Sequence, residues 1–210
     1  MPENTRITGT KLDIVEAAQR TLMKKGFSGS SAREIAAEGD FNQALIFYHF
    51  NSVHNLLLAV LDEVGARRME AYGEEFEAAK TATELAALVR RSYAEDLELG
   101  YVAVLSEMVA AGMTDEALGP QVAQRLEPWI ELVEQKLDQL FGGLPIAALA
   151  PSRDIAFALI AMYLGVDMLS HLQRSQDRAE GLLDVATRAA GLIDAFAPTL
   201  PGTANGKDTP

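Results

Sequence analysis

Apolar residues recur at helical spacing along most of the chain, and no segment alternates apolar and polar residues as a half-buried β-strand does. In the first segment Leu12, Val15, Ala18 and Leu22 follow at helical spacing, and Gly26 is predicted to end the helix. Further helices are predicted at about 31–38, 42–48, 52–79, 83–98, 101–111, 116–141, 152–173 and 178–197. The pattern therefore predicts an all-α protein.

Hydroxyl side chains mark the starts of several of these helices. Ser31 begins a capping box, S-x-x-E, in which the hydroxyl accepts from a free backbone amide and the carboxylate reaches back. Ser52 is predicted to cap the long helix that follows residue 52, and Thr81 begins a second capping box. These signals fix where the helices begin more sharply than the apolar spacing does.

A tight turn is predicted between the second and third helices. Gly39 and Asp40 tolerate the left-handed backbone of such a turn, glycine more readily than aspartate. Asn42 is predicted to cap the helix that follows. Residues 31–49 are thus predicted to form helix, turn and helix, with a third helix in front, which is the arrangement of a helix-turn-helix.

The two short helices have an apolar and a polar side. The residues predicted to face inward are Ile35, Ala36, Phe41, Leu45, Ile46 and Phe50, packed against Ile14, Ala17, Ala18 and Phe27. The residues left for other faces are Asn42, Gln43, Ala44, Phe47, Tyr48 and His49. In a helix-turn-helix the second helix lies in the DNA major groove. There Asn and Gln can pair with adenine, and Ala and aromatic side chains can touch a thymine methyl group.

Cationic and hydroxyl groups near this helix fit the phosphates of DNA. Arg33 can reach a guanine or a phosphate, and Ser30, Ser31 and the first amides of their helix can hold a phosphate oxygen. Lys24 and Lys25 are expected to contribute to the salt dependence of binding. On this geometry alone, the solvated face of a small helical cluster explains the same residues equally well.

A set of motifs over residues 10–58 resembles the N-terminal domain of the TetR (tetracycline-repressor) family. The motifs are Ile14-Val-Glu-Ala-Ala18, Gly26-Phe27, Ser31…Ile35-Ala36, Leu45-Ile-Phe-Tyr-His-Phe-Asn-Ser52 and Leu56-Leu57. The resemblance implies that Gln43, Ala44, Phe47, Tyr48 and His49 lie on the recognition helix, with Asn42 in its first turn and Arg33 at a base or phosphate. The sequence departs from the family pattern at Asp40, where glycine is usual, and at Val53, where a phosphate-contacting lysine is usual.

The resemblance also implies an organisation and a function. A helix-turn-helix DNA-binding domain is expected at 10–56 and a helical-bundle domain for ligand binding and dimerisation at 57–198. A flexible N-terminus at 1–9 and a disordered tail at 199–210 are expected to flank them. Such a protein is a ligand-responsive transcriptional regulator, most simply a repressor, that binds palindromic double-stranded operator DNA as a homodimer. A small apolar or amphipathic effector releases it.

Two C-terminal helices carry apolar stripes suited to self-association. The residues of the stripes are Ile155, Leu159, Met162, Val166 and Leu169 on one helix, and Leu182, Ala186, Ala189, Ile193 and Phe196 on the other. Small residues on a second face of each helix allow close packing on more than one side. We expect these helices to form a four-helix dimer interface; burial within one chain is the alternative.

Aromatic, Met and polar residues in the middle of the bundle are candidates for lining an effector pocket. The candidates are Tyr93, Tyr101, Met108, Trp129, Met162, Tyr163, Asp167 and His171. Most such residues in helical bundles serve packing, so about a third of them are expected to touch a ligand. Asp167 interrupts an apolar helix and can pair with His171 or recognise a cation or hydroxyl, although exposure to solvent explains it more simply.

Charge and composition narrow the functional classes. The formal net charge is −12, with 18 Lys+Arg and 30 Asp+Glu, and residues 1–51 carry equal numbers of basic and acidic groups. Only the N-terminal fifth is therefore suited to approach a polyanion. No apolar run resembles a signal peptide, and the longest, 155–166, is too short for a membrane span. We expect a cytoplasmic protein without a membrane partner.

Enzyme chemistry finds little support in the sequence. The absence of cysteine excludes disulfides, thiolate metal sites and cysteine nucleophiles. No phosphate loop, dinucleotide fingerprint or catalytic triad pattern occurs, and the three histidines lack metal-ligand spacing. We therefore expect no enzyme, metal or cofactor. A helical protein-interaction module that does not bind DNA is the main alternative, and a small-molecule enzyme is the weaker one.

Overall fold

A computed structural model of the protein describes residues 9–142 and 150–196. These residues form nine helices and no strand, and the predicted all-α fold is confirmed. The helices are α1 Thr10–Gly29, α2 Ala32–Gly39, α3 Ala44–Phe50, α4 Val53–Ala78, α5 Ala82–Glu98, α6 Tyr101–Gly112, α7 Gly119–Phe141, α8 Ser152–Gln173 and α9 Asp177–Phe196. The predicted flexible segment 1–9, apart from Gly9, and the predicted tail 199–210 lie outside the described residues.

The predicted hydroxyl caps are present. The Ser31 hydroxyl accepts from the Glu34 amide at 3.3 Å, the Ser52 hydroxyl from the Asn55 amide at 3.0 Å, and the Thr81 hydroxyl from the Glu84 amide at 3.1 Å. Each cap satisfies one amide in a first turn that has no partner within its helix. The starts of α2, α4 and α5 are therefore set by local sequence.

Gly26 does not end the first helix but kinks it. Helical hydrogen bonding continues to Gly29, while Gly26 has φ of 69° and ψ of 179°, far from helical values. A positive φ of this size is accessible to glycine at little cost. The prediction of a helix end at Gly26 was therefore wrong by one turn, although the glycine does interrupt the regular helix.

Two neighbouring residues make different contributions to the turn between α2 and α3: one adopts the left-handed backbone, and the other allows close packing. Asp40 takes the left-handed conformation, with φ of 52° and ψ of 48°, where a glycine is more easily accommodated. Gly39 provides space, because a Cβ there would lie 2.2 Å from the Phe41 ring and 2.9 Å from the Ala17 Cβ. The chain can thus bend sharply while the turn packs against α1.

The side chains predicted to face inward do form the core behind α3. Ile35, Ala36, Ile46 and Phe50 are buried, and Phe41 and Leu45 pack partly buried against the same cluster. The cluster includes Ile14, Ala17 and Ala18 from α1 and continues through α4 into Val104, Met108, Leu118 and Val122. The first four helices therefore share one apolar core with α6 and the start of α7.

Polar contacts fix the remaining helices around the corner between α4 and α5. The buried Lys136 ammonium of α7 donates to the carbonyls of Glu77 at 2.8 Å and Ala79 at 3.1 Å, which lie at the end of α4. The Asp194 carboxylate of α9 accepts from the amides of Ala82 and Thr83, both at 2.9 Å, in the first turn of α5. Partners from distant helices thus close both helix ends.

Replacing Gly39 with alanine should destabilise the protein. The added methyl group meets the fixed Ala17 Cβ and the Phe41 ring, so either the turn or α1 must move. We expect Gly39→Ala to lower the free energy of unfolding by about 1–3 kcal/mol in denaturant titrations. Gly73→Ala is the matched control, because its Cβ makes only an ordinary contact with Met69. This control should be neutral or stabilising by up to about 1 kcal/mol, and equal losses for both variants would contradict the steric argument.

Candidate functional site

The outward side of α3 is exposed, and it carries the predicted base-contacting residues. Tyr48 is 80% exposed and Phe47 is 49% exposed, while Asn42, Gln43 and Ala44 are also exposed. His49 is half-buried, with its ring edge-to-face on Tyr48 at a centroid distance of 4.8 Å. Polar and aromatic groups are thus displayed side by side, in a pattern suited to contact base edges and methyl groups.

The side-chain amides of Asn42 and Gln43, at the start of α3, differ in whether they are already hydrogen-bonded within the chain. The Asn42 Oδ1 accepts from the Ala44 amide at 2.9 Å and so supports the start of α3, although Gln43, and not Asn42 as predicted, occupies the N-cap position. This bond occupies the oxygen needed for a bidentate contact with adenine. The Gln43 amide makes no hydrogen bond to any described residue. Gln43 is therefore better placed than Asn42 to pair with a base, and both base contacts stay predictions.

Three cations of α1 already have carboxylate partners on α2. Glu38 accepts from Lys24 at 2.8 Å and from Arg20 at 3.2 Å, and Lys25 is bonded to Glu34. The hydrogen bond from Lys24 lowers the pKa of the Glu38 carboxyl, and the hydrogen bond from Lys25 lowers that of Glu34. A DNA phosphate must compete with these carboxylates, so Lys24 and Lys25 are weaker candidates for phosphate contact than their positions in sequence indicated.

Arg33 differs from these cations, because its guanidinium makes no ion pair with any described residue. It is exposed and lines a shallow groove of about 530 Å³ together with Asp40 and Gln43. The Ser31 hydroxyl accepts from an amide as a cap, and its own proton remains available to a phosphate. Ser30 is 4% exposed and donates to the Gly26 carbonyl at 2.8 Å. The proposal that Ser30 holds a phosphate is therefore wrong.

Contacts between α1 and the α6–α7 region tie the helix-turn-helix to the body. The Glu107 carboxylate of α6 accepts from the Phe27 amide at 2.8 Å, next to the kink at Gly26. The His54 Nε2 of α4 lies 3.2 Å from the Asp115 Oδ2 before α7, and the His54 ring packs edge-to-face on Phe27. The first domain is thus held by polar contacts in addition to the covalent connection through α4.

An ion pair lies inside the body between α4 and α5. An Arg68 Nη2 lies 2.6 Å from Asp96 Oδ2, and Asp96 is completely buried. Burial raises the pKa of the Asp96 carboxyl, against the opposing effect of Arg68. The Arg68 guanidinium lies over the Trp129 ring at 4.8 Å and near the Tyr163 ring at 5.8 Å. Two polar atoms of the pair, Arg68 Nε and Asp96 Oδ1, have no hydrogen-bond partner in the described part of the chain.

A second buried carboxylate lies nearby on α8. Asp167 is 6% exposed and accepts from the Ser106 hydroxyl of α6, and it makes no ion pair with a described residue. Its charge raises the pKa of the Tyr93 and Tyr163 hydroxyls, in each case after the larger effect of burial. The explanation of Asp167 as a solvent-exposed residue is therefore wrong, and the predicted pairing with His171 is absent.

The remaining candidates for an effector pocket fall into three environments. Tyr93 and Tyr163 contact each other edge-to-face at 5.6 Å beside the buried carboxylates, and Trp129 covers Arg68. Met108 is fully buried in the main core, and Tyr101 packs against that core, so both serve packing. Met162 is 48% exposed, and His171 is exposed. His171 lines a cleft of about 300 Å³ at the end of α8.

Sequence reasoning missed Arg68, Asp96 and Ser106, which complete this polar interior. Arg68 lies seven residues after Leu61 and four after Val64, on the buried stripe of α4. A charged residue on such a stripe can be identified from helical spacing alone, and it indicates a buried polar site. The pairing with Asp96 is a contact between different helices, so the sequence pattern gives no indication of it.

The apolar residues predicted for a dimer interface are largely uncovered within a single chain. Leu159, Met162, Leu169 and Leu182 are 39–60% exposed, Ala186 and Ala189 are exposed, and Ile155, Val166 and Ile193 are half-buried. The Phe196 side chain lies outside the described residues. Further exposed apolar side chains on the same helices are Phe157, Leu172, Val185 and Leu192. The alternative of complete burial within one chain is therefore wrong.

By length and composition alone, α8 is also the one helix of the described residues that is apolar enough to cross a membrane. Its mean hydropathy reaches 1.7 over 18 residues. Burial inside one chain does not account for that hydropathy, since only 17% of the segment is buried. The buried positions on α8 include Asp167 and Ser170, so the side of this helix that faces its own chain is partly polar.

Comparison with known proteins agrees with this architecture. The family described as bacterial regulatory proteins, tetR family, matches residues 14–60. The HTH-type transcriptional repressor AcnR of Corynebacterium diphtheriae is 31% identical over 71 residues, which are 34% of this chain and 37% of AcnR. The chain thus spans about a third of the length of the curated relatives it matches.

Solved structures extend the similarity to most of the chain. A TetR transcriptional regulator from Legionella pneumophila superposes with a TM-score of 0.70 at 20% identity, covering 89% of this chain and all of the other. The multidrug binding protein EbrR in complex with malachite green gives 0.61 at 26% identity, covering 87% of this chain and 99% of EbrR. Residues 14–60 thus match the tetR family of bacterial regulatory proteins, and the chain shares its helical fold with regulators of that family whose structures are solved.

Proposed function

We propose that this protein is a ligand-responsive transcriptional repressor that acts in the cytoplasm as a homodimer on palindromic operator DNA. Residues 10–56 read the DNA, and residues 57–198 form the body that dimerises and binds a small apolar or amphipathic effector. The observation that carries the proposal is the exposed face of α3, where Gln43, Phe47 and Tyr48 project from a helix held by apolar packing behind it. Support for a repressor comes from the name of the relative AcnR.

The outward face of α3 supports direct reading of bases. Gln43 offers a free amide, and Ala44, Phe47 and Tyr48 offer apolar contacts for a thymine methyl. Arg33 reaches the same side without an intramolecular partner to displace. Val53 is half-buried against the core, so the family's usual lysine at that position has no cationic substitute there. Binding to any duplex, whatever its sequence, should therefore be modest.

The bare apolar face of α8 and α9 supports a homodimer. Leu169 is 60% exposed, and added Cβ atoms at Gly165, Gly181 and Gly191 meet nothing within 4 Å. A second copy of the chain can cover this face with the same residues in a two-fold arrangement. Such a dimer presents two copies of α3 to successive major grooves, about 34 Å apart.

Coupling between the effector and the DNA has two structural routes. The long helix α4 runs from the helix-turn-helix to Arg68 and onward to the corner held by Lys136. The second route runs from α6, where Ser106 bonds Asp167 in the body and Glu107 bonds the Phe27 amide of α1. A ligand that favours one arrangement of α6 shifts the population toward one spacing of the two α3 helices.

The proposed function is tested by DNA binding of the purified full chain. Fluorescence anisotropy should show tighter binding to the duplex that precedes the protein's own gene than to random duplex, with affinity that falls as salt rises. Light scattering on the same sample should show a dimer. A monomer, or equal affinity for both duplexes, would refute the repressor and favour an interaction module. Turnover of a small molecule would instead indicate an enzyme.

Substitutions of Gln43 and Arg33 should separate base reading from phosphate contact. Gln43→Ala should weaken binding to the preferred duplex about 5- to 100-fold, with little effect on random duplex, because a base contact discriminates between sequences. Arg33→Ala, if the guanidinium meets a phosphate, should weaken binding to both duplexes and flatten the salt dependence by about one unit. Equal losses on both duplexes for Gln43→Ala would contradict base reading by this residue.

A charge on the apolar face of α8 should disrupt the dimer. Leu169→Glu places a carboxylate where the proposed interface needs an apolar contact, so we expect a monomer at micromolar concentration in light scattering, with operator affinity reduced at least tenfold. Met113→Glu is the control, because Met113 is 78% exposed outside this face. If Leu169→Glu remains fully dimeric, the face of α8 and α9 is not the interface.

Removing the Glu107 carboxylate should loosen the link between body and helix-turn-helix. Glu107→Ala leaves the partly buried Phe27 amide without an acceptor, which should cost about 1–3 kcal/mol in the free energy of unfolding. Operator affinity should also fall, because the orientation of α1 is less defined. Glu98→Ala, at an exposed carboxylate with no recorded partner, should change neither quantity. An unchanged operator affinity for Glu107→Ala would remove this route of coupling.

A further inference from the structure

We propose that the polar and aromatic cluster formed by α4, α5, α6, α7 and α8 binds an organic cation, such as a quaternary ammonium or a protonated amine. The cluster consists of Arg68, Tyr93, Asp96, Ser106, Trp129, Tyr163, Asp167 and Ser170. This proposal rests on the proposed function, because it names the chemical class of the effector. It narrows the expected effector from an apolar or amphipathic molecule to one that carries a positive charge.

The charges inside the cluster do not balance. Arg68 contributes one positive charge, and Asp96 and Asp167 contribute two negative ones. Arg68 is engaged with Asp96 at 2.6 Å, whereas Asp167 has, among the described residues, only the neutral Ser106 hydroxyl as a hydrogen-bond partner. A buried carboxylate without a cation is unfavourable, and a ligand cation supplies the missing charge.

Several buried polar atoms of the cluster have no hydrogen-bond partner among residues 9–142 and 150–196. Asp96 is fully buried, yet its Oδ1 accepts no hydrogen bond, and Arg68 Nε has no acceptor. Ser170 is 2% exposed, lies three residues after Asp167 on α8, and its hydroxyl also lacks a partner. Buried polar groups in folded proteins are generally paired, so three such atoms around one cluster point to an absent partner.

Aromatic rings around the carboxylates suit a cation better than a neutral ligand. Tyr93 and Tyr163 meet edge-to-face at 5.6 Å, and Tyr163 also donates to Asp96 at 3.5 Å. The face of an aromatic ring attracts cations, as the position of the Arg68 guanidinium over Trp129 already illustrates. A ligand anion would meet two carboxylates, and a neutral ligand would leave Asp167 without a counter-charge.

A cleft at the end of α8 borders this cluster at Ser170. It has a volume of about 300 Å³ and is lined by Ser170, His171, Arg174, Ser175 and Gln176. A second contact joins the cleft to the cluster, because Gln176 accepts from the Tyr93 hydroxyl at 3.3 Å. The cation at the mouth, Arg174, is exposed to solvent, so water and salt screen its repulsion of an entering cation.

Two probes that differ only in charge test the proposal on the full chain. Benzyltrimethylammonium is a cation, and neopentylbenzene is its neutral carbon counterpart of the same shape. Quenching of Trp129, the single tryptophan of the chain, and the shift in thermal unfolding temperature each report binding. We expect the cation to bind at least tenfold more tightly than the neutral compound. Equal affinity for the two probes would overturn the proposal, without the need for any variant.

A substitution at Asp167 locates the site. Asp167→Asn keeps the shape and an acceptor for Ser106 but removes the charge, so the Kd of the cation should rise at least tenfold while that of the neutral compound stays the same. Asp154→Asn, at an exposed carboxylate on the same helix, should change neither Kd. An unchanged Kd for the cation with Asp167→Asn would overturn the proposal.

The same samples distinguish this proposal from the proposed function. Operator binding without a probe and binding of the two probes are both measured on the original chain, so the two outcomes are independent of any variant. If the original chain fails to bind any operator but shows charge-dependent binding of the cation, the repressor function is refuted and the cation site stands. If operator binding is normal and the cation does not bind preferentially, the cation site is refuted and the repressor stands.

Discussion

The position of α3, the helix proposed to read DNA, depends on apolar packing that the helix-turn-helix shares with the body. Ile46 and Phe50 of α3 pack into the same cluster as Met108 of α6 and Val122 of α7. Protein interiors are closely packed and move between discrete arrangements more readily than they deform. Because the helix-turn-helix and the body share one apolar core, a rearrangement of α6 must be accommodated by α1 and α4.

The interior of the body is stabilised differently from this apolar core. The pair of Arg68 with Asp96, and the bond of Asp167 with Ser106, hold α4 to α5 and α6 to α8 through polar groups. Buried ion pairs contribute little net stability, because desolvation offsets most of their attraction. They specify which groups must meet, however, and they leave a buried pattern of charges that an apolar core could not provide.

Much of the fold could be predicted from the sequence, because its signals are local. The caps at Ser31 and Ser52 act within three residues of their own position, and the inward stripe of α2 and α3 follows from helical spacing. The turn at Asp40 was recognised for the same reason. Even the exposed side of α3 follows, since residues that do not face the core must face outward.

Contacts between distant helices could not be predicted in this way. The burial of Asp167 depends on Ser106, which lies 61 residues earlier. The pairing of Lys24 with Glu38 depends on the angle at which α2 crosses α1, so the lysine seemed free for DNA when judged by sequence alone. Side chains of this kind gain their role from the tertiary arrangement, which apolar periodicity does not encode.

The carboxylates that hold the cations of α1 have a consequence for how the protein would search a genome. A phosphate that displaces Glu38 from Lys24 exchanges one anion for another, so few condensed counterions of the duplex are released in total. The free energy of binding to DNA of arbitrary sequence is then small. A chain built this way should spend less time on irrelevant sequence, and fewer copies per cell should suffice to occupy its target.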